Sequence, residues 1–272
     1  MCTVAFTVAV FALIFPLGIA LADANIPLHS FSKADHNRKS AAKIINGDVA
    51  GLGEFPSQVS IQLLGVHSFG GSILSYRWIL TTAGVAYGQP EDYTVIAGTN
   101  ILSHGGTFHR VEKVLPHLLY NESDGYANDI ALMRLIDPIT LGNFANTIPL
   151  YEGQLTEDME GIAVGWGWFM KEHAGISNHL RKAKLRISNR AKCNFAYSEF
   201  GLTIKSSQFC AEDPMGLAGP CSGDAGGALI VDGKIAGIIS WSLGCVLQGY
   251  PNVLTDVSHY VEWIRTIIEC QP

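Results

Sequence analysis

The chain has 272 residues, 48% of them hydrophobic and 15% charged, which is enough to build one large domain or two closely packed halves around a buried core. Its 29 glycines against 11 prolines, with no repeat and no low-complexity tract, exclude a disordered chain, a coiled coil and a collagen. Eighteen basic against 24 acidic residues give a formal charge of −6, so nothing global favours nucleic acid or an anionic membrane as a partner.

Residues Val4 to Ala22 are uncharged and run through an apolar stretch, interrupted by Pro16 and Gly18, into Ala20-Leu21-Ala22. This reads as a secretory signal peptide over residues 1–22, with cleavage after Ala22 and no stable membrane insertion. The competing reading is an uncleaved anchor, because the stretch nearly reaches bilayer length. Residues 23–43 turn polar and lose any hydrophobic period, as expected of an unpacked leader. From Ile44 onward, runs rich in Val, Ile, Leu and Thr alternate with glycine-bearing turns: Gln58 to Leu64, Ser72 to Thr82, Tyr93 to Ile96 and Lys234 to Ser240. The cadence is all-β. Only Val257 to Glu269 has apolar residues at helical spacing, with Val257, Tyr260, Val261, Ile264 and Ile268 on one face.

Removal of the signal would take away Cys2 and leave Cys193, Cys210, Cys221, Cys245 and Cys270. Two bridges among five cysteines allow fifteen pairings, and no C-x-x-C spacing points to zinc, so no metal or cofactor is expected. Asn121-Glu122-Ser123 is a glycosylation sequon on a surface loop. Arg181, Lys182, Lys184, Arg186, Arg190 and Lys192 fall within twelve residues without an acid. Alternation with Ala183, Leu185 and Ile187 predicts a basic strand face, either solvated or able to take a sulfated glycan at Arg181, Lys182, Lys184 and Arg186.

Several ordered motifs resemble those of trypsin- and chymotrypsin-like serine proteases. Lys43-Ile44-Ile45-Asn46-Gly47 resembles a basic residue followed by IVGG, and Phe69-Gly70-Gly71-Ser72 resembles CGGS. Trp78 to Val85 is similar to the family's W-[IV]-[LV]-TAAHC, and Asn128 to Leu132 to NDIAL. Gly165-Trp166-Gly167, Cys221 to Gly227, Ser240-Trp241 and Gly249-Tyr250-Pro251 match GWG, C-x-GDSGG and the pocket segments. The resemblance implies two antiparallel six-stranded β-barrels, approximately residues 44–155 and 156–256, and a terminal helix over about 257–269. It also implies the bridges Cys193–Cys210 and Cys221–Cys245, and leaves Cys270 as either a tolerated thiol or an intermolecular link.

The chemistry departs from the resemblance. Acyl transfer in that family uses a hydroxyl nucleophile, an imidazole that takes its proton and a carboxylate that orients the imidazole. The resemblance puts Ala225, Gly84 and Asp129 in those positions, so only the carboxylate remains. His67, near the site, has no hydroxyl there to activate and reads as a hydrogen-bonded packing residue. The family's CGGS–TAAHC bridge is replaced by Phe69 and Val85, an apolar pair expected to fill its volume.

The same resemblance implies that a cut after Lys43 would free an ammonium on Ile44 to insert beside Asp224. It implies an oxyanion hole from the backbone of Gly223 and Ala225, which needs no side chain. Gly219 would sit at the base of a specificity pocket beside Ser240 and Trp241, with Ser242 and Asn252 on walls usually held by glycine, giving a narrow, uncharged pocket. The expected function is that of a secreted, non-catalytic serine protease homologue that binds proteins such as proteases, protease inhibitors or zymogens. The alternatives are a serine endopeptidase with unusual or residual activity and a secreted structural or carbohydrate-binding protein.

Overall fold

A computed structural model describes residues 44–168 and 175–271. The signal peptide, the leader with Lys43 and the link between Gly167-Trp168 and Gly175 fall outside those residues in whole or in part. The first barrel is closed by six strands in the order β2-β3-β4-β7-β6-β5. They are β2 (Gln58–Leu63), β3 (Val66–Ile73), β4 (Trp78–Thr81), β5 (Tyr93–Ala97), β6 (Thr107–Pro116) and β7 (Ala131–Leu135). The second ring runs β8-β9-β10-β13-β12-β11 and closes where β11 pairs with β8. Its strands are β8 (Glu160–Gly165), β9 (Arg181–Ile187), β10 (Gln208–Glu212), β11 (Ala228–Val231), β12 (Lys234–Trp241) and β13 (Asn252–Asp256). All pairings are antiparallel, and closure removes the exposed edges that an open sheet would carry.

Alternation along the strands fills each barrel. Val59, Ile61, Ile79, Val95 and Met133 project into the first, while Ala183, Leu185, Leu229 and Leu254 fill the second. Between them Trp78, Leu80, Leu132 and Ile238 meet the terminal helical segment through Val257, Tyr260 and Ile264. That segment begins as a 3-10 turn over Val257–Tyr260, capped when Asp256 Oδ1 accepts from the Ser258 amide at 3.0 Å. It continues as the α-helix Val261–Cys270, so the expected helix exists with a tighter first turn.

The structure corrects several local expectations. The run Ser72 to Thr82 is not one strand: β3 ends at Ile73 and the chain turns before β4. The first barrel does not begin at Ile44. Asp48–Val49, designated β1, pairs with β9, Ile45 bridges Gly219, and Ile44 packs in the second barrel's core. An α-helix, α1 (Arg190–Ser198), lies where the sequence shows only a basic run, which makes the terminal helix α2. Asn189 caps α1 by accepting from Lys192 N at 3.0 Å, and Cys193 and Tyr197, four apart, are its buried face.

The strand alternation puts Lys182, Lys184 and Arg186 on the outer face of β9, and the expected basic face is corrected at Arg181 alone. The β9 alternation turns Arg181 inward, where it is 2% exposed and its Nε donates to Ser177 Oγ at 2.8 Å. Burial pushes the Arg181 guanidinium down to about 10. On the outer face Lys182 pairs with Glu54 and Arg186 with Glu160. Arg190 lies on α1 and donates to the Gln208 and Ile204 carbonyls. The clustered cations are therefore spread over two elements, with Lys182, Arg186 and Lys192 in ion pairs with Glu54, Glu160 and Glu212.

Disulfides join Cys193 to Cys210 and Cys221 to Cys245. The first ties α1 to β10. Cys270 is also held in a disulfide. Among the described residues, no helix is long and apolar enough to cross a membrane.

Candidate functional site

The junction of the two barrels is built around close main-chain approach. A Cβ on Gly70 would lie 2.8 Å from Gly227 Cα, so Gly70 is needed for the barrels to meet there. Gly70 N donates to Ala225 O at 2.8 Å and Thr81 Oγ1 donates to Gly70 O at 2.8 Å, which links β3, β4 and the loop before β11. Asp129, Gly84 and Ala225 are thereby brought to one junction.

Asp129 is 3% exposed and has no cation partner among the described residues. Its carboxylate accepts from Thr82 Oγ1, Ser240 Oγ and Ala83 N, the last at 2.8 Å, with the Gly84 amide also favouring the anion. Burial nevertheless raises the carboxyl above its ordinary range, because the neutral donors offset only part of the desolvation. Ser240 and the local amides are legible from the motifs, but Thr82 is not. Its signal is an N-cap: Thr82 starts the 3-10 turn Ala83–Tyr87 and accepts from Gly84 N.

Gly84 leaves real space beside that carboxylate. A Cβ there would meet Phe69 Cε1 at 3.5 Å and Thr82 atoms at 3.8 Å, all ordinary contacts. Val85 is fully buried in the first barrel's core and Phe69 packs against the same core. The two apolar residues occupy neighbouring volume, consistent with a bridge position converted to packing.

His67 is a fixed structural group. Its Nδ1 lies 2.8 Å from Ser60 Oγ and its Nε2 3.0 Å from Gly223 O, while the ring meets Trp166 edge-on. Because a carbonyl only accepts, Nε2 carries the proton and Nδ1 accepts from the Ser60 hydroxyl. Burial pulls this imidazole down to about 4, so it is neutral at physiological pH.

The Gly223-Asp224-Ala225 turn carries the two main-chain amides of the expected oxyanion hole. Gly223 has φ +93°, a conformation that favours glycine, and a Cβ on it would displace Ile176 Cδ1 from 2.8 Å. Among the described residues, the Gly223 and Ala225 amides donate to no protein acceptor. Asp224 fixes the turn from beneath: its carboxylate accepts from Gly167 N at 2.7 Å and Cys221 N at 2.9 Å. Complete burial raises it to about 7 against these two bonds. Ile44 is fully buried as well.

Beside this turn lies a cavity of about 250 Å³ lined by Ser222, Ala225, Ser240, Trp241, Ser242 and Asn252 among others, none of them charged. Gly219 does not line it, contrary to the sequence expectation. Asn252 lines it, and its Nδ2 would lie 3.2 Å from a Cβ on Gly219. Ser242 also lines it, with Oγ donating to Gly244 O at 3.1 Å. Asn121 is exposed, and its Oδ1 accepts from Ser123 N and Ser123 Oγ at 3.1 and 2.8 Å.

Two closed barrels meeting at such a junction define a chymotrypsin-type β-protein. Residues 44–264 match the family described as Trypsin, and the chain belongs to that family. It is 34% identical to the trypsin of Simulium vittatum over 218 residues, covering 78% of this chain and 87% of that one. It is 32% identical to hypodermin-A of Hypoderma lineatum over 244 residues, covering 89% and 90%. It is 33% identical to the vitellin-degrading protease of Bombyx mori over 225 residues, covering 82% and 84%.

Proposed function

We propose that this chain is a secreted member of the trypsin family that has no peptidase activity and acts by binding other proteins, with proteases, their inhibitors and their zymogens as the partner class. The observation that carries this reading is the pair Gly84 and Ala225 beside a buried Asp129. A methyl group cannot attack a carbonyl, and glycine has no side chain to accept a proton. His67 does not compensate, because both ring nitrogens are committed to Ser60 and Gly223. The two unpaired amides and the uncharged cavity remain able to receive a carbonyl and a small neutral side chain without cleaving the chain. Secretion is supported by the apolar segment ending at Ala22 and by the disulfides.

A cut after Lys43 belongs to the same proposal: the new ammonium of Ile44 would supply the cation that Asp224 lacks. The test is to treat purified protein, before and after cleavage at Lys43, with a serine-directed phosphonate and with a mixed peptide library. Neither covalent mass addition nor hydrolysis is expected from either form. A stoichiometric phosphonate adduct would overturn the reading. Capture from the native fluid separates partner classes, since recovery of glycans without any protease, inhibitor or zymogen would contradict the proposed partners.

A further inference from the structure

A second, open pocket of about 720 Å³ lies at the edge of the junction, lined by Ala83, Ala86, Tyr87, Tyr120, Glu122 and Tyr126, with Asn121 and Ser123 on its rim. Its chemistry differs from that of the neutral cavity beside Ala225. Three phenol rings surround one carboxylate. Tyr87 donates to Glu122, and Tyr126 Oη donates to Glu122 Oε1 at 3.5 Å, so the rings and the anion form one connected set.

No cation answers this set. The neighbouring Asp124 is paired with Lys205, but Glu122 makes no ion pair among the described residues, and no lysine or arginine lines the pocket. Burial raises the Tyr120 and Tyr126 phenols, and nearby carboxylates raise them further, Asp129 foremost at Tyr120 and Glu122 at Tyr126. The phenol faces carry negative quadrupole charge, which attracts ammonium and guanidinium groups. Tyr87, 73% exposed, leaves a face open to an incoming group. Tyr126 also stacks on Trp241 at 6.0 Å, and Trp241 lines the neutral cavity, so the two pockets share a wall.

We infer that the pocket of Tyr87, Tyr120, Tyr126 and Glu122 is a cation-binding cage that takes a lysine or arginine side chain presented by a polypeptide. The commitment to a cationic side chain rests on charge complementarity, an anion and three ring faces without a counter-ion. The inference deepens the protein-binding reading by naming what the partner presents. It does not depend on the absence of catalysis, because the cage uses neither Gly84 nor Ala225.

The test uses the full chain with Asn121→Gln in every form, so that no glycan on the rim enters the measurement. Nα-acetyl-arginine methylamide, its lysine counterpart and the neutral, near-isosteric citrulline compound are titrated by calorimetry and by shifts of tyrosine ring resonances. The arginine compound is expected to bind at least about 5-fold tighter than citrulline, with the difference shrinking as salt is added. Glu122→Gln should weaken arginine binding about 2- to 5-fold and leave citrulline unchanged. Tyr87→Leu should weaken both cations by a similar factor, about 2- to 5-fold. Both altered side chains are exposed, and unchanged thermal midpoints would show that the variants fold. Equal binding of citrulline, indifference to both substitutions, or no binding at about 20 mM would each overturn the cage. These outcomes are independent of the phosphonate result.

Discussion

Asp224 is wholly buried, and both of its recorded hydrogen bonds come from uncharged main-chain amides. Since burial raises its carboxyl from 3.8 to about 7, the folded chain prefers the protonated form. Its contribution to stability is therefore full below about pH 4 and lost as pH rises through about 7, a decline on the order of 4 kcal/mol. Asp129 shifts in the same direction, whereas Asp137 and Glu54 are held low by Arg110 and Lys182 and act with opposite sign below their ordinary range. The difference between parent and Asp224→Asn isolates one group. His67, held at about 4 by burial, acts with the opposite sign in this window in both forms. The parent's urea midpoint on the uncut chain should therefore drop relative to the variant's as pH rises from 4 to 8, while the variant is offset downward where an amide nitrogen faces a donor. Parallel curves would refute the assignment. Cleavage after Lys43 should flatten the parent's slope if the Ile44 ammonium reaches the carboxylate, because a pinned anion no longer gains from protonation.

Helix α2 shows how an element with a clear sequence signal is held. Val257, Tyr260, Val261 and Ile264 are buried and Ile268 is partly so, the same face that the helical spacing marks. Ile264→Ala should lower stability by about 2–5 kcal/mol, whereas Thr266→Ala on the exposed side should stay within about 0.5 kcal/mol. Equal denaturation midpoints for the two variants would mean that the helix does not close the domain. The all-β cadence is legible for the same reason, since strand alternation and turn glycines are local signals, whereas the closure into two barrels is what the family resemblance implies. What escaped the sequence depended on partners distant along the chain. Helix α1 buries only Cys193 and Tyr197, too narrow a stripe to stand out among the surrounding charges. Strand β1 has two residues and exists because it lies against β9. Arg181 looked like part of a basic surface until register with β8 and β10 fixed which side faced inward. At the site, the motif positions located Asp129 and Asp224. Thr82 beneath Asp129, Asn252 above Gly219 and the tyrosine cage are contacts across loops, visible only once the barrels close.

At the scale of the molecule, the support for a family reaction centre stands around two small residues. Asp129 is already buried and aimed by Thr82 and Ser240, and the turn that carries the Gly223 and Ala225 amides is anchored by Asp224. A Cβ at position 84 finds only ordinary contacts, so a side chain there does not collide at its root. Joint substitution with G84H and A225S would place an imidazole and a hydroxyl at these two positions, the groups whose absence the proposed function rests on. After cleavage at Lys43, the double variant should react with a serine-directed phosphonate and hydrolyse peptides with small, neutral side chains at the scissile residue, because the adjoining cavity carries no charge. The single variants should remain silent, since triad members act as a unit and removing either the nucleophile or the base costs on the order of 10⁶ in kcat. Recovery in the double variant alone would show that only the reacting groups separate this scaffold from a peptidase. A folded but silent double variant would place the loss in the pocket, with Asn252 in its lining as the first residue to replace, and would refute the claim that the surrounding geometry is intact.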